Sequence, residues 1–221
     1  MPDYQHHWKD GTPVHLPLGK IVCIGRNYAE HAKELKNEVP VEPVIFMKPK
    51  TALLLPEKPL YYPEFTDDLH YECELVVKIC KNGKYVQERF ASKYYEEITV
   101  GIDFTARDLQ QKQKEKGLPW EIAKAFDGSA AVGRFVSIPI GADINNLNFQ
   151  LKLNEEVVQD GNSGNMMFGV NKIIAYVSQY FTLNIGDMIF TGTPAGVGPV
   201  NVYDKLEGYL QGERLLEVNI R

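Results

Sequence analysis

The segment 70–74, HYECE, places two carboxylates at the spacing of one face of a β-strand. Residues two apart in a strand point to the same side, so Glu72 and Glu74 would project together. Two neighbouring carboxylates repel each other unless one is protonated or a cation lies between them. Asp103 closes a second apolar segment and adds a third carboxylate. Three such oxygen ligands suit Mg2+ or Mn2+ better than Zn2+, and the alternative is an edge strand with a hydrated acidic face.

A histidine and a glutamate form the second group of candidate residues. His31 and Glu34 lie three residues apart in a helix predicted at 28–36, with Asn27 as its N-cap, and therefore share a helix face. A carboxylate beside an imidazole orients the ring and raises its basicity, as a general base requires. An ordinary exposed pair is the alternative explanation.

Positive charge and glycine-rich backbone supply the groups that could bind an anionic substrate. Arg107 follows the Asp103 segment and Lys124 lies in EIAKAFDG; either could bind a carboxylate, unless both are surface charges. The segment 192–198, GTPAGVG, has backbone that can approach an anion closely, and a structural turn explains its glycines equally well. It lacks the GK[ST] ending of a P-loop, so a nucleotide is not implied.

Short apolar or alternating segments dominate the chain and predict β-strands. The predicted strands and their tight turns are 20–25, 72–80, 98–104, 147–153, 157–158, 187–191 and 216–220, with turns at 81–84 and 154–155. Helices are predicted at 28–36, 108–116 and 171–181, the second of them polar and exposed. Strands do not alternate with helices, which argues against a doubly wound sheet. We therefore predict an α+β, mostly β fold in a single domain over 1–221.

Composition and charge limit the classes of function. The chain has 221 residues, 44% of them hydrophobic, and a formal charge of -5, which is the balance of an ordinary globular protein. No cluster of Lys and Arg forms the basic face that nucleic-acid binding requires, and no apolar segment is long enough to span a membrane. Three cysteines without a CxxC spacing, Cys23, Cys73 and Cys80, predict reduced thiols and a cytoplasmic location.

Seven segments extend these motifs along most of the chain: GRNYAEHAKEL, PVIFMKPKTAL, HYECELVVKI, VGIDFTARDLQ, GLPWEIAKAFDG, QDGNSGNMMF and LNIGDMIFTGTPAGVGPV. Together and in this order they resemble the fumarylacetoacetate hydrolase family, most closely its small acylpyruvase, oxaloacetate decarboxylase and hydroxyheptadienedioate isomerase members. The resemblance implies a mixed β-roll with few helices, assembled as a homodimer. It also implies an N-terminal part at about 1–65 that carries a lid helix, followed by a β-rich metal-binding core at about 66–221.

The resemblance implies a role for each candidate residue. The metal-binding positions, for Mg2+ or Mn2+, are Glu72, Glu74 and Asp103. The catalytic positions are His31, Glu34 and Lys124, the first two in the lid. The substrate-binding positions are Arg26, Arg107, Gln110 and Thr193. The chain departs from the family pattern at two places: Asn165 stands where many relatives carry Asp, and Tyr203-Asp204 replaces Gly-Asp. Both departures leave the metal-binding positions intact but bear on the fine choice of substrate.

The activity implied is that of a divalent-metal-dependent enzyme acting on a small 2-oxo acid or dicarboxylic acid. A divalent ion chelated by such a substrate polarises the ketone and stabilises an enolate. Hydrolysis of a C–C bond in an acylpyruvate is the foremost expectation. Decarboxylation or tautomerisation of oxaloacetate and isomerisation of 2-hydroxyhepta-2,4-diene-1,7-dioate are alternatives, and a non-catalytic binding protein of the same fold is a more distant one.

Overall fold

Strands outnumber helices in the structure, a computed structural model that describes residues 7–13, 18–34, 39–139 and 142–221. The strands are β1 (Ile21–Gly25), β2 (Val44–Lys48), β3 (Leu69–Tyr71), β4 (Cys73–Ile79), β5 (Tyr95–Asp103), β6 (Thr105–Ala106), β7 (Ala130–Val132), β8 (Val136–Ser137), β9 (Asn148–Leu153), β10 (Glu156–Asn162), β11 (Met188–Phe190), β12 (Gly198–Pro199), β13 (Lys205–Leu210) and β14 (Glu213–Asn219). The α-helices are α1 (Ala29–Glu34), α2 (Arg107–Lys116), α3 (Glu121–Lys124) and α4 (Val170–Tyr180). This composition confirms the predicted fold class.

The largest sheet has the strand order β2-β1-β11-β4-β5-β7, with β8 paired to the beginning of β5. Strands β4 and β5 lie side by side in its interior as an antiparallel pair, with Glu74 opposite Gly101 and Cys73 opposite Ile102. Every residue of β4 is buried, as expected for a strand covered on both faces. The candidate carboxylates lie at one end of the β4–β5 pair. They are therefore held by buried backbone in the interior of the sheet.

A second sheet, β10-β9-β13-β14, shares the main hydrophobic core with the first, and a third sheet, β12-β3-β6, is smaller. The core includes Leu75 and Val77 of β4 together with Leu151 of β9. The turn between β9 and β10 is the one predicted at 154–155. Its two residues, Asn154 and Glu155, have φ of 49° and 74°, as two-residue hairpin turns of type I′ require.

The connection between β4 and β5 differs from the prediction. We expected a tight hairpin turn at 81–84, but the chain passes through a 3-10 helix, Glu88–Tyr94, before β5 begins. The backbone of this connection pairs elsewhere, since Gly83 exchanges hydrogen bonds with Leu183 (3.0 and 2.7 Å) and Tyr85 N donates to Ser178 O at 2.9 Å. These distant partners open the turn and draw the connection towards the end of α4.

The helices agree with the sequence pattern in position. Helix α4 buries Ile174 and Val177 as predicted, whereas Phe181 lies just beyond its end and is exposed. The predicted helix at 28–36 is α1 as far as Glu34, and its remainder, 35–36, lies outside the described residues. Within the described part of the chain, no helix is both long and apolar enough to cross a membrane.

Candidate active site and metal centre

Three buried carboxylates meet where β4 begins and β5 ends. Glu72 lies just before β4, Glu74 lies within it, and Asp103 is the last residue of β5; they are 6%, 2% and 0% exposed. The Asp103 amide donates to the Glu72 carbonyl at 2.8 Å, which fixes the strand ends against each other. One carboxylate oxygen from each of the three lies within 4.8 Å of the others. The strand alternation therefore places Glu72 and Glu74 together, as predicted, and tertiary pairing adds Asp103.

Lysine and arginine side chains compensate two of these carboxylates. Lys124 Nζ donates to Glu72 Oε2 and Asp103 Oδ2, each at 2.7 Å. Lys48 Nζ lies 2.8 Å from Asp103 Oδ1, and Arg107 Nη2 lies 2.6 Å from Glu72 Oε1. Burial opposes the ionisation of Glu72, but the Lys124 and Arg107 charges outweigh it and hold the pKa of Glu72 well below its usual value. In the same way, Asp103 and Glu72 outweigh burial and raise the pKa of Lys124.

Glu74 has a different environment. Among the described residues, no cation forms an ion pair with it, and its Oε2 accepts a hydrogen bond from the Gly192 amide at 2.6 Å. Burial, and then the charges of Asp103 and Glu72, raise the pKa of Glu74 well above its ordinary value. A cation among the three carboxylates would remove this cost, and three hard oxygen donors match the preference of Mg2+ and Mn2+. The residues present therefore fit a divalent metal.

The histidine and glutamate of α1 form the pair that their spacing predicts. Glu34 Oε2 lies 3.1 Å from His31 Nδ1, and Glu34 Oε1 accepts a hydrogen bond from the Gly196 amide at 3.1 Å. His31 is only 5% exposed and lines the same cavity as the carboxylates. An imidazole whose Nδ1 donates to a carboxylate keeps Nε2 as the basic nitrogen. The arrangement thus has the geometry that a general base and its orienting carboxylate require, with the imidazole buried and only Glu34 exposed.

The glycine-rich segment 192–198 was explained either as backbone that approaches an anion or as a structural turn, and the structure shows features of both. Gly192 adopts φ +98°, and a Cβ there would lie 2.7 Å from the Cβ of Asn27. Only glycine fits such a backbone without strain. The amide that glycine exposes does meet a carboxyl group, but this group belongs to the protein's own Glu74. The segment is therefore a turn whose backbone also holds a candidate metal ligand.

Asn27 is not the helix cap that we predicted. Its side-chain amide donates to Thr191 O at 2.7 Å and to Phe168 O at 2.9 Å, and it accepts from Phe168 N at 2.8 Å. These partners lie more than 140 residues away in the chain, so local sequence could not reveal them. Asn27 ties the segment before α1 to the segment before Gly192, and thereby joins the His31 side of the cavity to the Glu74 side.

One cavity brings together every predicted site residue except Glu34, which reaches it through His31. The predicted residues that line it are Arg26, His31, Glu72, Glu74, Asp103, Arg107, Gln110, Lys124 and Thr193. The prediction treated Arg107 and Lys124 as cations facing the substrate. In the structure both contact candidate metal ligands, and Arg107 Nη1 also donates to Gln110 Oε1 at 2.7 Å.

Sequence reasoning missed three residues of the site. Lys48 ends an apolar strand and is fully buried, and a charge inside an apolar segment was the available signal. Lys114 lines the cavity seven residues after Arg107 and four after Gln110, which is the spacing of one helix face. We had predicted that α2 is exposed, but its cavity-facing side is partly buried because α3 covers it. Gln159 contacts the Cys73 amide and the Thr193 hydroxyl, and it carried no local signal, since these partners are 86 and 34 residues away in the chain.

Comparison with known proteins agrees with this geometry. The family model for the fumarylacetoacetate (FAA) hydrolase C-terminal domain matches residues 20–221. A mitochondrial oxaloacetate tautomerase of Bos taurus is 44% identical over 192 residues, 87% of each chain. An oxaloacetate tautomerase of Escherichia coli is 40% identical over 213 residues, 96% of this chain and 97% of that one.

Solved structures share the whole fold. The crystal structure of fumarylpyruvate hydrolase from Pseudomonas aeruginosa, in complex with Mn2+ and pyruvate, has a TM-score of 0.91 and 33% sequence identity, covering 100% of this chain and 96% of that one. The fold and the buried carboxylate cluster place the chain among mostly β enzymes, with a candidate site for a divalent metal. The chain belongs to the fumarylacetoacetate hydrolase family.

Proposed function

We propose that this enzyme interconverts the keto and enol forms of oxaloacetate or a closely related 2-oxo acid, with Mg2+ or Mn2+ bound to Glu72, Glu74 and Asp103. One observation carries the proposal: the buried imidazole of His31, held by Glu34, faces the same cavity as the three carboxylates. A proton-transfer group and an electrophilic centre are the two requirements of enolisation. The similarity to two oxaloacetate tautomerases supports this choice of substrate.

The residues of the cavity have different roles in the proposed reaction. The substrate's carboxylates would be bound, and its C3 oriented towards His31, by Arg26, Arg107, Gln110 and Thr193. His31 Nε2 would take a proton from C3 of the keto form and pass it to the enolate oxygen, which gives the enol, and would move it back in the reverse direction, while Glu34 holds the ring. A bound divalent cation supplies positive charge that stabilises the developing enolate oxygen.

Lys124 has an electrostatic role in this scheme. Its ammonium contacts Glu72, Asp103 and Thr105 Oγ1, the last at 2.6 Å, and its raised pKa keeps it protonated. A group so firmly charged is a poor proton acceptor but offsets negative charge effectively. We therefore assign it to balancing the carboxylates as charge shifts on the substrate.

Hydrolysis of an acylpyruvate is the second candidate function. The same His31–Glu34 pair could activate a water molecule against the acyl carbonyl, so that the C–C bond breaks and pyruvate leaves as its enolate. Similarity to a fumarylpyruvate hydrolase whose structure contains Mn2+ and pyruvate favours this candidate. Both reactions need the same base on the same side of the cavity, so the geometry accommodates either.

The test is an assay of the metal-stripped and metal-loaded protein on both substrate classes. The decay of enol oxaloacetate and the cleavage of acetylpyruvate are followed by ultraviolet absorbance, with proton NMR to identify products. We expect activity to disappear on chelation and to return with Mg2+ or Mn2+. Full activity in exhaustively metal-free protein, or inactivity towards both substrates with every metal tried, would overturn the proposal.

We also propose that the enzyme acts as a homodimer in the cytoplasm. The family resemblance supports the dimer, and the free thiols of Cys23, Cys73 and Cys80 support a reducing compartment. Sedimentation equilibrium and fractionation of cells that express the tagged protein would test the two parts separately. A monomer in the first experiment, or enrichment in an organelle or membrane fraction in the second, would contradict the respective part.

A further inference from the structure

The cavity contains two cations that the carboxylates do not neutralise. Lys48, Lys124 and Arg107 each form an ion pair with Glu72 or Asp103. Arg26 and Lys114 also line the cavity, but among the described residues neither forms an ion pair with a carboxylate. Both are partly buried, and removing charges from water without a partner is costly, so such cations in a cavity indicate an anionic ligand.

The position of Lys114 is determined by helix α2. Arg107, Gln110 and Lys114 occupy one face of this helix and all line the cavity, with Lys114 two turns beyond Arg107. Lys114 Nζ lies 5.9 Å from the centre of the Trp120 ring, which forms part of the same wall. The ammonium thus lies beside the part of the wall that Trp120 forms.

The electrostatic environment of Lys114 supports this placement. Burial, followed by the charges of Arg107 and Arg26, lowers the pKa of Lys114 to about 8. The two arginines are therefore close enough to repel it. Arg26 itself has φ +57° and a buried Nε without a hydrogen-bond partner. A dianionic ligand would relieve the repulsion between these cations and provide the missing acceptor.

We propose that Lys114, with Arg26 beside it, binds the second carboxylate of a dicarboxylic 2-oxo acid and thereby determines a preference for dicarboxylic over monocarboxylic substrates. The inference rests on the proposed function and specifies its substrate class. The first carboxylate and the 2-oxo group occupy the end of the cavity near Glu72, Glu74 and Asp103. The second carboxylate then lies along the face of α2, where Lys114 offers a charge-assisted hydrogen bond.

The test uses Lys114→Met, which removes the charge but keeps an unbranched chain against Trp120. Lys116→Met is the matched control, since Lys116 lies on the same helix and is exposed. Calorimetry in the presence of Mn2+ compares 2-oxoglutarate with 2-oxopentanoate, in which a methyl group replaces the second carboxylate. We expect the wild type and Lys116→Met to bind the dicarboxylate roughly ten- to a hundred-fold more tightly, the scale of a hydrogen bond to a charged group.

In Lys114→Met this preference should disappear, and Lys114→Arg should restore most of it. The KM for oxaloacetate should rise in Lys114→Met and stay as in the wild type in Lys116→Met. An unchanged preference in Lys114→Met, or a wild type without preference, would overturn the inference. A wild type that binds the dicarboxylate selectively but converts neither oxaloacetate nor acetylpyruvate would overturn the proposed function and leave the inference intact.

Discussion

The pKa values of Glu72 and Glu74 shift in opposite directions because the two identical side chains have different charged neighbours. Glu72 contacts Lys124 and Arg107, and its pKa is lowered, whereas Glu74 faces two other carboxylates and has a raised pKa. Spacing alone treats the two as equivalent. The difference matters for experiments, since the same Glu→Gln substitution removes a partner from buried cations at one position and relieves a repulsion at the other.

Substitution at these two positions should therefore separate stability from metal binding. In metal-free protein we expect Glu72→Gln to lower the free energy of unfolding by about 3 kcal/mol, because Lys124 and Arg107 lose a buried partner. Glu74→Gln should leave it unchanged or raise it, since the amide can still accept from Gly192. Urea unfolding in the presence of a chelator measures both variants, and calorimetry should show that both lose Mn2+ affinity. Equal destabilisation of the two would contradict the assigned charge states.

His31 and Glu34 should separate proton transfer from metal binding. We expect His31→Ala to lose kcat by roughly a hundred-fold or more, the scale of a removed general base, and to keep its Mn2+ affinity. Glu34→Ala should fall less, because Glu34 orients the ring through the 3.1 Å contact with Nδ1. The double variant should be little worse than His31→Ala, since residues that act as a unit are not additive. Steady-state kinetics and calorimetry decide the matter, and a fully active His31→Ala enzyme would refute the assignment.

Lys114 should give substrate binding a dependence on pH above neutrality. Burial and the charges of Arg107 and Arg26 lower its pKa to about 8, although the charge of Glu72 acts in the opposite direction. The ammonium is therefore present below pH 8 and is lost above it. We expect the KM for oxaloacetate to rise as the pH increases through about 8, while the KM for acetylpyruvate stays level. Lys114→Arg should flatten the profile, because an arginine keeps its charge. Parallel KM profiles for the two substrates would count against this role.

At the scale of elements, the side chain of Gln159 on β10 connects two sheets at the site. Its Oε1 accepts from the Cys73 amide at 2.9 Å, and its Nε2 donates to Thr193 Oγ1 at 2.8 Å and to Pro194 O at 3.0 Å. Because Nε2 occupies an acceptor site of the Thr193 hydroxyl, the hydroxyl proton remains free to point into the cavity that Thr193 lines. Gln159 is thus a positioning residue that selects the direction in which Thr193 donates.

Gln159→Glu should reverse this arrangement with almost no change in shape. The carboxylate would accept the Thr193 hydroxyl proton and would face the Pro194 carbonyl without a donor. We expect the KM for oxaloacetate to rise roughly ten-fold, in line with a lost hydrogen bond to a charged group, and kcat to change less. Asp160→Asn is the control, since it changes the charge at an exposed position on the same strand. A purely structural role would instead lower the amount of folded protein without shifting KM.

At the scale of the whole molecule, the candidate metal site lies inside the largest sheet rather than on a loop. Glu74 belongs to β4 and Asp103 to β5, and both strands contribute to the main core through Leu75, Val77 and Val100. Ligands supplied by buried strands do not exist as a site in the unfolded chain, so metal binding stabilises the folded state directly. Stability should therefore report metal occupancy without any assay of activity.

Thermal unfolding at increasing Mn2+ concentration tests this expectation. A hundred-fold excess over Kd contributes about 3 kcal/mol, which corresponds to a rise in Tm of roughly 6–12 °C for a chain of this size. Glu74→Gln should abolish the rise. Glu96→Gln, at an exposed position on the same strand as Asp103, should keep it. A Tm that does not respond to Mn2+ or Mg2+ in the wild type would exclude a metal site in the sheet.

The sequence by itself determined the features that depend on neighbours along the chain. The two-residue period placed Glu72 and Glu74 on one side of a strand, and the three-residue spacing joined His31 to Glu34. The alternation of apolar residues gave the mostly β class, because such patterns reflect burial of one face at a time. The resemblance then connected these separate motifs into one expected site.

Only the tertiary structure decided which distant groups share that site and what charge each carries. Lys48 and the amide of Gly192 reach the carboxylates, and Gln159 reaches the Cys73 amide between them. These groups come from segments far apart in the chain, so no local pattern could show their contacts. The half-buried state of Lys114 likewise depends on α3 packing against α2, since a polar helix considered alone is exposed on every side. Ionisation and burial are properties of the assembled surroundings, and packing across the whole chain determines them.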